Sequence, residues 1–237
     1  PANAIAITQP SECPSCGGHV ETLPDNQTGH RCVNELSCPA QLARRVIHFA
    51  SKKCLDIEWL GDSAIIEACS IGLVTKPADL YDITAEQLQE QLTGFKAKKA
   101  EKIISSIQKS KTNSLARFLR ALGINEIGST LSEKLAIQFQ SIEAIKEASF
   151  EELLAIDDIG GTTAAYIVDF FDTRWNEVEE LLAKGFILSV PNAVKNSAIT
   201  GLSFVVTGSF TEKYSRKQRL KKLLMGAKIR KALLLIF

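Results

Sequence analysis

Apolar residues in the middle of this chain follow a helical beat that is interrupted four times at near-constant intervals. Between Asp56 and Asp172 they recur three and four apart in short blocks, the pattern of amphipathic helices. Each interruption is a five-residue turn, apolar at its first and fourth positions. The turns are Ile57-Glu58-Trp59-Leu60-Gly61, Leu92-Thr93-Gly94-Phe95-Lys96, Ile124-Asn125-Glu126-Ile127-Gly128 and Ile156-Asp157-Asp158-Ile159-Gly160. Their last residues lie 35, 32 and 32 positions apart. A period in this range marks a tandem array, here helix, tight turn, helix, written four times.

The flanking residues set the helix bounds. A helix is predicted from Pro39 to Lys53, with Leu42, Val46, Ile47 and Phe49 facing in and Gln41, Arg44 and Arg45 facing out. Asp62–Ser70 is the next, stopped by Gly72 in the C′ role. Lys76–Tyr81 is a connector, because Pro77 cannot sit inside a helix. Thr84 and Gln87 form a capping box for the helix that follows. Further helices are predicted at Ala97–Lys109, Ser114–Leu122, Leu131–Phe139, Ser141–Ala148, Phe150–Ala155, Thr162–Phe171 and Trp175–Lys184. Residues 188–200 read as a linker without period. The grammar then changes: Leu202–Gly208 is a β-branched run ending in a turn, and Arg216–Met225 is a basic amphipathic helix. Ala4-Ile5-Ala6-Ile7 is a short strand or a linker.

Composition adds little: 237 residues, 45% hydrophobic and 23% charged, ordinary for a globular protein. No apolar run is long enough for a membrane span. The N-terminus lacks the features of a signal peptide, so the expected location is cytoplasmic. Net charge is +1 but unevenly spread. Phe95–Arg120 carries +7, Lys213–Lys231 carries +9 and Gln140–Gly185 carries −8. Basic blocks in a near-neutral chain point to local anion binding, or to solvated helix faces.

Four cysteines carry the clearest chemistry. Cys13-x2-Cys16 is followed by a Gly-Gly turn, and Cys32-x5-Cys38 follows a hairpin's length later. Two thiolates from one bend and two from a second make a tetrahedral sulfur shell that suits Zn²⁺. All four positions are filled by protein, so the site is structural. His19 and His30 lie nearby as alternative ligands. Disulfides are the competing reading, disfavoured in a cytosolic chain. Cys54 and Cys69 read as small apolar core residues.

The turns carry the second chemistry. In each copy a helix begins straight after the turn, and its first backbone N–H groups have no intrahelical partner. They carry the positive end of the helix dipole and can hold an anion. Glycine allows close backbone approach. Such a device grips a sugar–phosphate backbone and reads no base edge. The candidate phosphate contacts are the backbone around Gly61, Gly94, Gly128, Gly160 and Gly161, with Lys96, Lys98, Lys99 and Ser129. A helical scaffold with glycines only for tight turns is the alternative.

These residues together are similar to a known family. Cys13-x2-Cys16, Cys32-x5-Cys38-Pro39-Ala40-Gln41-Leu42, His48-Phe49, Asp56-Ile57-Glu58, Asp79-Leu80-Tyr81, Ala121-Leu122-Gly123-Ile124 and Asp157-Asp158-Ile159-Gly160 closely resemble the C-terminal part of bacterial NAD-dependent DNA ligases. Phe204-Val205-Val206-Thr207-Gly208 resembles the opening strand of a BRCT domain. The resemblance implies a mostly α fold: a four-cysteine zinc finger at 13–40, a four-hairpin helix-hairpin-helix domain at 41–187, the linker, and a truncated, short α/β BRCT-like segment at 201–237. It makes residues 1–12 a linker remnant after an OB domain. It implies double-stranded, nicked DNA as partner, a role in replication and repair, a monomer, and a nucleoid-associated cytoplasmic location. NAD and Mg²⁺ belong to the complete family enzyme. The lysine that accepts AMP lies in a Lys-x-Asp-Gly motif, which this sequence lacks. No catalytic or cofactor-binding residue is therefore assigned, and the chain alone is expected not to ligate. Trp59, Lys96 and Asp158 stand where the family usually has a hairpin glycine, and the two middle hairpins are expected to hold most of the DNA. Two alternative roles follow: completing a separately encoded ligase core, or acting as a zinc-stabilised interaction scaffold through the partial BRCT segment.

Overall fold

The computed structural model describes residues 10–22, 29–34 and 37–190. The expectations for 1–9, for most of the linker and for the BRCT-like segment lie outside those residues. The finger contributes a two-stranded antiparallel hairpin, β1 (Val20–Thr22) and β2 (His30–Cys32), with Val20 opposite Cys32. The described remainder is mostly helical.

Helix α1 (Pro39–Ala50) starts where Pro39, whose missing N–H is harmless at the first position, follows Cys38. It is shorter than its sequence pattern, because the chain turns at Ser51–Lys53 to reach the first hairpin. Then come α2 (Asp62–Ser70), α3 (Ala85–Gln91), α4 (Ala97–Ser110), α5 (Leu115–Ala121), α6 (Ser129–Phe139), α7 (Ile142–Glu147), α8 (Phe150–Leu154) and α9 (Gly161–Ala183). α1 packs on α2, α3 on α4, α5 on α6 and α8 on α9, which are the four hairpins. The capping box at Thr84 forms as expected: Gln87 N–H donates to Thr84 Oγ1 at 3.3 Å, and Thr84 N–H donates to Gln87 Oε1 at 2.9 Å.

One local expectation gains detail and two change. The connector at Lys76–Tyr81 contains a 3-10 turn, Pro77–Tyr81, with Pro77 at its start. Asp79 fixes it by accepting from the N–H groups of Thr75 and Lys76 at 2.8 and 3.1 Å. The two helices expected at 162–171 and 175–184 are one helix, α9, with a kink at Arg174 (φ −126°, ψ 16°). The linker does not begin at 188: Ile187–Ser189 forms a strand, β4, parallel to β3 (Thr112–Ser114). Ile187 N–H also donates to Lys111 O at 2.8 Å.

The core is continuous across all four hairpins. It runs from Val46 and Phe49 through Ile103, Phe118 and Leu135 to Ile167 and Phe171, all essentially without solvent exposure. Each fully buried Phe or Leu stabilises the fold by roughly 1.5–3 kcal/mol. The array is thus one body, not beads on a string. Phe186 ties its end back to the middle, edge-on to Tyr81 (5.1 Å) and Phe118 (5.0 Å). Cys54 and Cys69 are buried, as expected of small apolar core residues. Burial pushes the Cys69 thiol up to about 11. Among the described residues no helix is long and apolar enough to cross a membrane.

Candidate metal centre and nucleic-acid interface

The four finger cysteines converge. Their Sγ atoms all lie within 4.8 Å of one another. Cys13 and Cys38 are 3.8 Å apart, and Cys16 and Cys32 3.4 Å. A Zn²⁺ with four sulfurs at about 2.3 Å in tetrahedral array needs sulfur pairs about 3.8 Å apart, so the cluster fits the ion. All four thiols are free. His19 and His30 are outside the cluster and exposed.

The bend between the first two ligands explains its glycines. Gly17 has φ +71°. A Cβ on Gly18 would meet Asn34 Nδ2 at 2.3 Å. That approach lets Asn34 Nδ2 donate to Cys16 Sγ at 3.6 Å, beside Gly18 N–H at 3.4 Å. The Gly18 N–H, with Cys32, holds the Cys16 thiol down to about 7, while burial pushes Cys32 up to about 11. The finger's own buried cluster is Cys13, Cys32 and Cys38, with Cys16 and Val20 against it. Sulfur replaces an apolar core here, so an ion bound by the four cysteines would contribute to the folding of this segment.

In the array, the turns share one backbone register. Trp59 (φ 69°), Gly94 (φ 78°), Glu126 (φ 64°) and Asp158 (φ 70°) are all left-handed. Each stands two residues before the N-cap of the next helix: Gly61, Lys96, Gly128 and Gly160. The register is that of the five-residue turns read from the sequence, aligned on their last residues. The counterpart of Trp59 and Asp158 is Gly94, not Lys96. Glu126, which sequence reasoning missed, is a third non-glycine residue at that place. Lys96 sits with Gly61, Gly128 and Gly160, in extended backbone that any residue adopts (φ −101°).

α1, with Pro39 at its first position, has no side-chain cap, and the N-termini of the other eight helices fall into two classes. α3, α5, α7 and α8 are each capped by a side chain, from Thr84, Ser114, Ser141 and Ser149. α2, α4, α6 and α9, the second helices of the hairpins, have no side-chain cap. Gly61, Gly94, Gly128, Gly160 and Gly161 are exposed, and a Cβ on any of them would meet nothing within 4 Å. Packing therefore does not require these glycines, and of the five only Gly94 has a positive φ. What they share is an open approach to uncapped N–H groups. Ser129 and Gly161 are the first residues of α6 and α9. The apolar pins behave as expected: Ile57, Leu60, Leu92, Phe95, Ile124, Ile127 and Ile159 are buried and Ile156 is half-buried.

The basic block divides. Arg117 Nε and Nη2 donate to the carbonyls of Cys54 and Lys52, each at 2.6 Å, and Arg120 Nη1 to Lys53 at 2.9 Å. Those arginines hold the end of α1. Arg45, expected outside, is half-buried and lies 3.9 Å from Glu177. Lys96, Lys98 and Lys99 are exposed around the start of α4. Lys99 Nζ lies 4.0 Å from the Phe95 ring centroid, while the side chains of Lys96 and Lys98 have no hydrogen-bond or ion-pair partner among the described residues.

Comparison with known proteins matches both segments of the chain to family models. Residues 12–40 match the NAD-dependent DNA ligase C4 zinc finger domain. Residues 54–109 match a SAM-like helix-hairpin-helix tandem, and 117–178 a helix-hairpin-helix motif. Among curated relatives, a DNA ligase of Francisella tularensis subsp. novicida is 40% identical over 235 residues, 96% of this chain and 34% of that protein. A DNA ligase of Finegoldia magna is 39% identical over 226 residues, 94% of this chain and 33% of that protein. The chain spans about a third of the length of these relatives. Finger, hairpin array and near-complete alignment together place it: the chain belongs to the NAD-dependent DNA ligase family, as the region that carries the family's C4 zinc finger and helix-hairpin-helix array.

Proposed function

We propose that this chain grips the sugar–phosphate backbone of duplex DNA, without sequence preference, for a NAD-dependent DNA ligase that seals 5′-phosphate/3′-hydroxyl nicks in replication and repair. The observation that carries the reading is the division of helix ends. Four helices use Thr or Ser to cap their first turn, and the four that follow hairpin turns leave it bare beside exposed glycine or lysine. A bare first turn favours an anion such as phosphate. Interactions of this kind position a protein on a duplex but carry no sequence information.

The turns differ in strength. The second has Gly94, Lys96, Lys98 and Lys99. The third has Gly128 and Ser129 but also Glu126. The first presents Gly61 beside Trp59, and the fourth presents Gly160 and Gly161 beside Asp157 and Asp158. The second hairpin dominates in this reading. Cys13, Cys16, Cys32 and Cys38 hold zinc and shape the finger; NAD and Mg²⁺ act in the complete enzyme, on residues outside this chain.

The test is the salt dependence of binding, by the full chain, to two duplexes of unrelated sequence. Log affinity falls linearly with log salt, by about 0.9 per phosphate neutralised, with the same slope for both sequences. A flat salt response overturns the reading. Preserved protein-partner binding with no DNA binding favours an interaction scaffold instead.

A further inference from the structure

The first hairpin carries a residue that the phosphate grip does not use. Trp59 occupies the left-handed position (φ 69°) that the second hairpin fills with Gly94. An L-residue in that conformation brings its Cβ against its own carbonyl, and a bulky side chain is an uncommon occupant. Burial does not compensate for the strain, because Trp59 is 58% exposed. Two interactions hold the tip against α4 of the neighbouring hairpin. Glu58 N–H donates to Ser106 Oγ at 2.7 Å, and Lys102 Nζ lies 4.7 Å from the Trp59 ring centroid. The result is an exposed, braced indole paired with an ammonium, two residues before the bare N-terminus of α2.

We infer that Trp59 and Lys102 form an additional nucleic-acid contact, in which the indole stacks on a flat apolar face of the strand while Lys102 meets the adjacent phosphate. Aromatic rings interleaved with cations suit a strand in which such faces and phosphates alternate. Two sources present that face: an unstacked base, as at a single-stranded gap, and the deoxyribose edge of an intact duplex. This inference rests on the DNA grip proposed above and adds to it a non-ionic term confined to one hairpin.

Trp59→Gly separates the two. It removes the ring and fits the left-handed backbone, so thermal stability holds or rises while binding weakens roughly ten-fold. The loss is a parallel downward shift of the log–log salt plot with unchanged slope, because no charge is removed. Trp59→Phe keeps a ring and recovers part of the affinity. In a Trp175→Phe background Trp59 is the sole tryptophan, and its fluorescence shifts as DNA is added. A loss seen only on gapped duplex identifies an unstacked base; equal loss on intact duplex identifies the sugar edge. If the parent chain binds with its salt slope and Trp59→Gly binds equally well, the Trp59 contact is overturned and the backbone grip stands. If the parent binds no duplex, the backbone grip itself has failed.

Discussion

Lys134 on α6 reaches into the fourth turn, where its Nζ lies 2.7 Å from the Asp158 carboxylate and 2.7 Å from the Asp157 carbonyl. The turn that looks most hostile to phosphate thus has a cation beside it, and that cation is held by the protein's own acid. Removing the acid changes both partners. Asp158→Gly deletes one negative charge, fits φ 70° and releases Lys134 from its ion pair. Duplex affinity rises, and the salt slope steepens by up to about 0.9 as one more phosphate is met. Stability changes by no more than about 1 kcal/mol, since the pair is exposed on its acid side. Filter binding at several salt concentrations, with thermal unfolding, checks both parts.

Around the second turn, charge reversal separates fold from function. Glutamate near a helix N-terminus interacts favourably with the helix dipole, so Lys96→Glu with Lys98→Glu leaves helix content unchanged and does not lower stability. The same pair of substitutions places negative charge where phosphate is proposed to sit. Affinity falls several-fold or more, and the salt slope shrinks by about 0.9 for each phosphate that is no longer neutralised. Circular dichroism and binding isotherms measured on one preparation give the comparison; unchanged binding shows that α4 is not part of the grip.

The finger predicts its own order of unfolding. With little but sulfur in its interior, residues 13–38 lose amide protection first when a chelator is added, while the helical array keeps its protection. The response depends on pH in one direction. Zinc binds thiolates, and burial raises Cys32 to about 11 while the Gly18 N–H lowers Cys16 to about 7. Zinc must therefore displace protons, and its apparent affinity falls as pH drops. The fall steepens below about pH 7, where Cys16 also carries a proton. Titration against a competing chelator at several pH values measures it; a pH-independent affinity contradicts a thiolate site.

Ser106 supplies a packing test. It is 8% exposed, and its hydroxyl oxygen accepts the Glu58 N–H of the first turn at 2.7 Å. Ser106→Ala removes that acceptor and, with Glu58 exposed, costs about 0.5–1.5 kcal/mol, read as a lowered melting temperature.

Some of this architecture is legible from residues alone, and the reasons differ by element. The apolar pins and the period make the hairpins visible, because each turn must bury its first and fourth residues whatever else it does. The cysteine spacing makes the metal site visible, because two bends present four sulfurs. The β3–β4 pair is not legible: strands of three residues, Thr112–Ser114 and Ile187–Ser189, are too short to show alternation. Nor is the division of the basic block. Arg117 and Arg120 differ from Lys96 and Lys98 by which carbonyls the fold brings within reach, and charge density does not reveal that. The turn register is legible, but the roles of its glycines are not, because glycine at Gly94 and glycine at Gly61 do different things. One takes a left-handed φ, and the other leaves a helix end open in ordinary backbone.

The central claim is that the bare helix ends that follow the hairpin turns bind the duplex and the capped ones do not. Backbone amide chemical shifts, followed while duplex DNA is titrated into isotopically labelled full chain, test it most directly. The account predicts the largest shifts in the first turns of α2, α4, α6 and α9, strongest at α4, and small ones in the first turns of α3, α5, α7 and α8. Equal shifts in the two classes, or shifts confined to the capped class, contradict it.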